Sequence, residues 1–215
     1  MAFLHGLQAD NTRAFFAANK QTYEETLKHP MEALLQEVDP KFQPLRMFRI
    51  NRDVRFAKDK SPYKTQVSGT GEREGGSIYY VQLSTTGLLV ASGMYMLATD
   101  QLLRFRNAIA SEDTGPAFVE LVEHYNNRKG FRMNSGGDAP LKTTPRGFDK
   151  DHPRIEYLRW KGATVFCELG APAWLQTAKV KAKVEETWDA IDPLNKWLES
   201  HVGPSTLPPP DAGRW

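Results

Sequence analysis

Cysteine is nearly absent from this sequence: Cys167 is the only one in 215 residues. An intrachain disulfide is therefore impossible, and nothing in the covalent chemistry asks for an oxidising compartment. Long apolar runs are missing too. No stretch approaches the roughly 20 apolar residues that a membrane-spanning helix needs. Met1–Asp10 lacks the basic start and continuous apolar run of a secretory leader. The expected location is the cytoplasm, with no membrane partner. The formal net charge is only +2, so no global field draws the chain toward nucleic acid.

Familiar chemical motifs are scarce as well. His5, His29, His124, His152 and His201 are scattered without zinc-like spacing, so no metal is expected. The glycines of Gly71–Gly76 are not followed by the Gly-Lys-Ser/Thr of a phosphate loop, and Ser135-Gly136-Gly137 lacks the frame of a nucleophile elbow. Cys167 lies in the apolar run Val165-Phe166-Cys167, which reads as a buried, inert thiol. Glu24-Glu25 and Glu185-Glu186 read as helix-surface charge. No motif names a cofactor.

What is present is material for one α+β domain. The first forty residues read as helical, with Asp10 or Asn11 as a cap and Phe15, Phe16, Tyr23 and Leu27 on one face. A strand is expected at Leu45–Ile50. Thr65–Thr70 is a short alternating stretch. Ile78–Ser84 and Leu88–Ser92, joined by Thr85-Thr86-Gly87, form a hairpin pattern, hence an antiparallel sheet. Helices are expected at Asp100–Ala110 and Pro116–Asn127, then a loop from Phe131 to Phe148 and a short helix over His152–Trp160. A strand at Ala163–Leu169 and a largely helical Ala173–His201 follow. The expectation is a single domain over 1–205, an antiparallel sheet of about four to six strands flanked by helices. A Pro-rich extended tail covers 206–215.

The most distinctive stretch is RINRDVRFAKDKSPYK, residues 49–64, with six basic residues against two acids. The remainder of the chain sums to −2, so this excess is local. Arg49, Arg52 and Arg55 offer planar donor forks matched to carboxylate or phosphate; Lys60 adds a point charge. Asp53 can pair with a neighbouring arginine and hold its plane. The turn at Ser61-Pro62 brings Tyr63 and Lys64 back toward the arginines, and Phe56 and Tyr63 can pack beneath cations or stack on a planar ligand. The competing reading is an internal ion-pair network that fixes a long connection. A second polar cluster, Lys142–His152, contains Arg146 and His152 and could close over the segment; an ordinary surface loop is the alternative. Asn19 and Lys20 could reach the site or pin the first helix.

The order Arg49-x-x-Arg52-Asp53-x-Arg55-Phe56-x-x-x-Lys60-x-x-Tyr63 resembles the signature of an uncharacterised, mainly bacterial family, domain of unknown function 2461. Phe15-Phe16 with Asn19-Lys20 and Tyr23 is similar to that family's N-terminal helix. Tyr79-Tyr80 through Gly93-Met94-Tyr95 is similar to its central hairpin. Leu141-Lys142, Pro145-Arg146-Gly147-Phe148 and Asp151-His152-Pro153 are similar to its late loop. The resemblance implies a set of hallmark positions and no reaction.

Three functions fit these residues. The first is a site for an anionic (phosphate- or carboxylate-bearing) small molecule, built by Arg49, Arg52, Arg55, Lys60 and Tyr63, oriented by Asp53 and extended by Arg146. If catalysis follows, His152 or Tyr63 would transfer the proton. The second is a nucleic-acid-binding module, since basic residues interleaved with aromatics can track phosphates and stack bases. The third is a structural or protein-interaction domain, its segment held by internal ion pairs and its tail a ligand for a partner groove.

Overall fold

The computed structural model describes residues 1–55 and 58–208. Its frame is a six-stranded sheet in the order β1-β2-β3-β4-β6-β5, with every neighbouring pair antiparallel. The strands are β1 (Arg46–Met47), β2 (Gln66–Glu72), β3 (Ile78–Ser84), β4 (Gly87–Met94), β5 (Phe131–Asn134) and β6 (Ala163–Gly170). The helices are α1 (Ala2–Ala9), α2 (Arg13–Ala18), α3 (Lys20–Tyr23), α4 (His29–Glu37), α5 (Thr99–Ala110), α6 (Gly115–Asn127), α7 (Ile155–Leu158) and α8 (Lys179–His201). A π-helical turn, Glu24–Lys28, joins α3 to α4. The α+β, antiparallel expectation holds, with six strands.

Period-2 alternation decides which face meets the helices. Val67, Val81, Val90 and Val165 are buried on one face, with Tyr79 and Cys167. The helices cover that face in two buried clusters. One gathers Leu4, Leu7, Leu27 and Leu35 beneath β2–β4; the other gathers Phe105, Phe118, Tyr125 and Leu158 beneath β5 and β6. Helix α8 joins them: Val184 and Trp188 belong to the first, and Ile191, Leu194 and Leu198 to the second. Trp188 also donates its indole N–H to the backbone carbonyls of Ala91 at 3.1 Å and Tyr80 at 3.3 Å, which ties α8 to β3 and β4.

Several local expectations need correction. Phe131–Phe148 does not begin as a loop, because Phe131–Asn134 is strand β5, with Phe131 and Met133 inward and Arg132 and Asn134 outward. Four residues before a Gly-Gly turn are too few to display alternation convincingly. In the β1 region only Arg46–Met47 joins the ladder. Thr12, not Asp10 or Asn11, caps α2 by accepting the Phe15 N–H at 3.1 Å. The helix expected over His152–Trp160 is confined to Ile155–Leu158. The tail is tied at its start, since Asp100 accepts hydrogen bonds from the Ser205 hydroxyl and the Thr206 N–H. Residues 209–215, and Phe56 of the hallmark stretch, lie outside the described residues.

Candidate functional site

The basic stretch forms an excursion between β1 and β2. Its two ends are zipped by an antiparallel bridge between Asn51 and Tyr63, with the Arg52 N–H donating to Pro62 at 2.8 Å and the Lys64 N–H to Ile50 at 2.9 Å. The Ser61-Pro62 turn thus does return Tyr63 and Lys64 toward the arginines. Asn11 clamps the returning strand from both sides, accepting the Tyr63 N–H at 3.1 Å and donating to the Tyr63 carbonyl at 3.0 Å. The Tyr63 ring is buried and stacks on Phe16, with centroids 4.2 Å apart and planes 14° from parallel.

Within the excursion, charges pair locally. Arg55 grips Asp53 through Nε and Nη2, the latter at 2.7 Å, and this neighbour holds the Asp53 carboxyl down at about 2. Arg52 pairs with Asp59, and Lys60 donates to the Val54 carbonyl at 2.9 Å. These two ion pairs tie the loop to itself, with the Arg55 side chain still exposed. Arg49 has no carboxylate within ion-pair reach among the described residues, and its field falls on Lys64 and Asp53. Arg146 and His152 are not brought to this segment. Arg146 lines a separate cleft with Arg106, Phe148 and the start of α5. The ring of His152 accepts the Arg154 N–H at 3.0 Å and faces the Ala110 carbonyl.

The face of the sheet opposite the helices is open, and it holds a trough of about 470 Å³. Strand by strand, its lining is Gln66, Ser68 and Thr70 from β2, Tyr80 and Gln82 from β3, and Leu89 and Ala91 from β4. Thr164 and Phe166 from β6 and Asn134 from β5 complete the floor. Phe48 and Lys64 form one end, Tyr95 and Gly136 the other. Among the described residues lining it, Lys64 alone is charged. A larger cleft of about 580 Å³ lies by Leu27, Met31, Leu34 and Leu175; its polar side chains are Thr26, Gln176 and Thr177, and both threonine hydroxyls donate to local carbonyls. An apolar-walled cavity with a few directed polar groups is the better ligand site.

Register shapes the trough. Tyr80, Ala91 and Phe166 stand side by side on β3, β4 and β6. Two strand spacings separate the outer two, roughly 9–10 Å. The methyl group of Ala91 leaves a gap between two aromatic walls. The far end depends on glycine: Gly136 has φ +79°, and a Cβ there would stand 2.1 Å from the Tyr95 carbonyl. A Cβ on Gly137 would enter the Tyr95 ring. The Ser135-Gly136-Gly137 turn is therefore the seat of Tyr95.

The electrostatics converge on Lys64. Burial pushes its ammonium below the ordinary lysine range, and Arg49 and Arg52 push it further. Its Nζ donates to the Arg49 carbonyl at 3.1 Å and sits 5.1 Å from the Phe48 ring centre. Lys64, at one end of the trough, thus lies in the fields of Arg49 and Arg52. Burial also raises the Tyr80 hydroxyl, which donates to Gln82 Oε1 at 2.7 Å. Charge directed the sequence reading to the loop, whereas this lining is mostly neutral. The signal that could have found it is the alternation in Ile78–Ser84 and Leu88–Ser92, which places Tyr80, Gln82, Leu89 and Ala91 on one face.

Among the described residues no helix is long and apolar enough to cross a membrane. No curated protein and no solved structure matches the chain. The family described as conserved hypothetical protein (DUF2461) matches residues 1–197. That match spans all six strands and most of α8, and the chain belongs to the DUF2461 family.

Proposed function

We propose that this protein binds an anionic small molecule with a planar body on the open face of its sheet. The observation that carries this reading is the trough of about 470 Å³ in which, among the described residues, Lys64 is the one charged lining residue. Arg49 and Arg52 are near enough to depress the Lys64 pKa, so a phosphate or carboxylate there relieves repulsion among like charges. The neutral remainder, walled by Tyr80 and Phe166, suits a flat, weakly polar body. In this reading Asp53, Arg55, Lys60 and Tyr63 are scaffold residues that fix the excursion and so aim Arg49 and Lys64. Arg52 keeps its Asp59 partner and contributes its field.

The test is a thermal-shift screen of planar carboxylates and phosphates, with 2-naphthoate as the reference probe, on wild type, Lys64→Gln and Ala91→Phe. A ligand that binds only the native state raises the melting temperature by mass action. Wild type should be stabilised and both variants should not. If no compound shifts the wild type, or both variants shift equally, the reading fails. A second reading, a surface for single-stranded nucleic acid, draws on the exposed ring of Phe48 beside these cations and that of Tyr95 at the far end of the trough. It predicts tighter binding of a uridine oligomer than of its monomer, with a steep salt dependence.

A further inference from the structure

The trough's polar groups carry a bias that its composition hides. Amides and hydroxyls can each donate or accept, but the Asn134 and Gln82 amide oxygens already accept hydrogen bonds. Asn134 Oδ1 accepts the Gly136 N–H at 3.0 Å and the Thr164 hydroxyl at 2.8 Å. A backbone N–H can only donate, so the identity of that oxygen is fixed. Gln82 Oε1 accepts the Tyr80 hydroxyl at 2.7 Å. Among the described residues neither the Gln82 nor the Asn134 amide nitrogen has a protein acceptor. Those two NH₂ groups and the Lys64 ammonium therefore meet a ligand as donors along the aromatic row, while Gln66 and Ser68 line the β2 side.

Their placement is ordered. Gln82 lies two residues from Tyr80 on β3, toward the β3–β4 hairpin, in register with Leu89. Asn134 pairs with Thr164, which is two residues from Phe166 toward the opposite end. The two amides thus flank the Tyr80–Ala91–Phe166 row from its two sides, and Lys64 lies beyond Gln82. A diagonal crosses the sheet from Lys64 through Gln82 and the Ala91 gap to Asn134. A flat ring in the gap has its anionic substituent toward Lys64 and its far edge toward Asn134. That far edge meets donors and must itself present acceptors.

Resting on the proposed anion-binding function, we infer that the ligand is an oxo-substituted planar ring bearing an anionic group. This is the chemistry of uracil and guanine nucleotides, in which Asn134 reads a ring carbonyl and disfavours an amino group at that same position. Cytosine differs from uracil at that edge by an amino group in place of the carbonyl. A donor facing a donor loses its hydrogen bond and leaves two groups unpaired.

Titration calorimetry with UMP, CMP and 2-naphthoate on wild type and Asn134→Asp tests this. The aspartate retains the oxygen that accepts from Gly136 and Thr164 and replaces the NH₂ with an acceptor. Wild type should bind UMP about tenfold more tightly than CMP, the size of one neutral hydrogen bond, and Asn134→Asp should abolish or reverse that ratio. Because the two nucleotides carry the same charge, the ratio is insensitive to the added negative charge. Asn134→Ser, which removes the NH₂, serves if Asn134→Asp does not fold, and it should also narrow the ratio. Equal binding of UMP and CMP, or a ratio unchanged in the variants, overturns the inference. If neither nucleotide binds while 2-naphthoate does, the oxo-ring inference falls and the anion site stands. If none of the three binds, both fall.

Discussion

Replacing Lys64 with glutamine separates the ligand's electrostatics from the protein's stability. In the ligand-free protein the ammonium is depressed by burial first and by Arg49 and Arg52 next. A lysine whose folded pKa lies below its unfolded value costs stability while it is charged in both states. That cost fades as pH rises through the folded pKa. At neutral pH the substitution removes this cost, along with the contact over Phe48 and the bond to the Arg49 carbonyl. The opposing effects are each small, and the net should lie within about 1 kcal/mol, or roughly 2–4 °C for a chain of this size. Anion binding behaves differently. A charge-assisted hydrogen bond contributes about 1.5–3 kcal/mol, so Lys64→Gln should weaken 2-naphthoate roughly 10- to 150-fold. Wild-type affinity should also decline as pH rises toward the ordinary lysine range, beginning below it, whereas the variant should show no such decline. Calorimetry between pH 7 and pH 10 reads both, and an unchanged affinity in the variant would refute the electrostatic argument.

Other perturbations have equally definite outcomes. Ala91→Phe fills the gap between Tyr80 and Phe166 on the open face; it should abolish probe binding in titration with little change in melting temperature, because no packed core is disturbed. Gly136→Ala places a Cβ against the Tyr95 carbonyl at a positive φ; it should cost more than about 1 kcal/mol in urea unfolding. Arg154 is buried and donates to the carbonyls of Ile109 and Ala110 at the end of α5, and to Glu112. Arg154→Ala should destabilise by about 3 kcal/mol while leaving the affinity of 2-naphthoate, measured on the folded fraction, unchanged.

The sheet was legible where strands were long. Ile78–Ser84 and its partner show alternation, a two-residue connection and a glycine, and the hairpin forms there. Strand β5 was not legible, because its inward residues, Phe131 and Met133, are decided by packing on α6 and β6 rather than by local pattern. The excursion was legible in outline: its turn, its return and the partnership of Asp53 with Arg55 follow from residue types close in sequence. An internal ion-pair network was one of two open alternatives, but the Arg52 partner is Asp59 rather than Asp53, and residue types alone do not choose between a carboxylate of the chain and one of a ligand. Arg146 was placed near the segment by shared polarity, yet the fold carries it to α5. The trough itself depends on β2, β3, β4, β6 and β5 lying side by side, and β6 inserting between β4 and β5 is a long-range choice. The neutral residues that line it carry no charge signal.

The central claim is that ligand binds the open face of the sheet rather than the charged excursion. Backbone amide chemical shifts recorded while 2-naphthoate is titrated into the folded protein test this most directly. The account predicts the largest changes at Gln82, Ala91, Phe166 and Lys64. Changes confined to Arg52–Lys60, with β3, β4 and β6 unmoved, would contradict it.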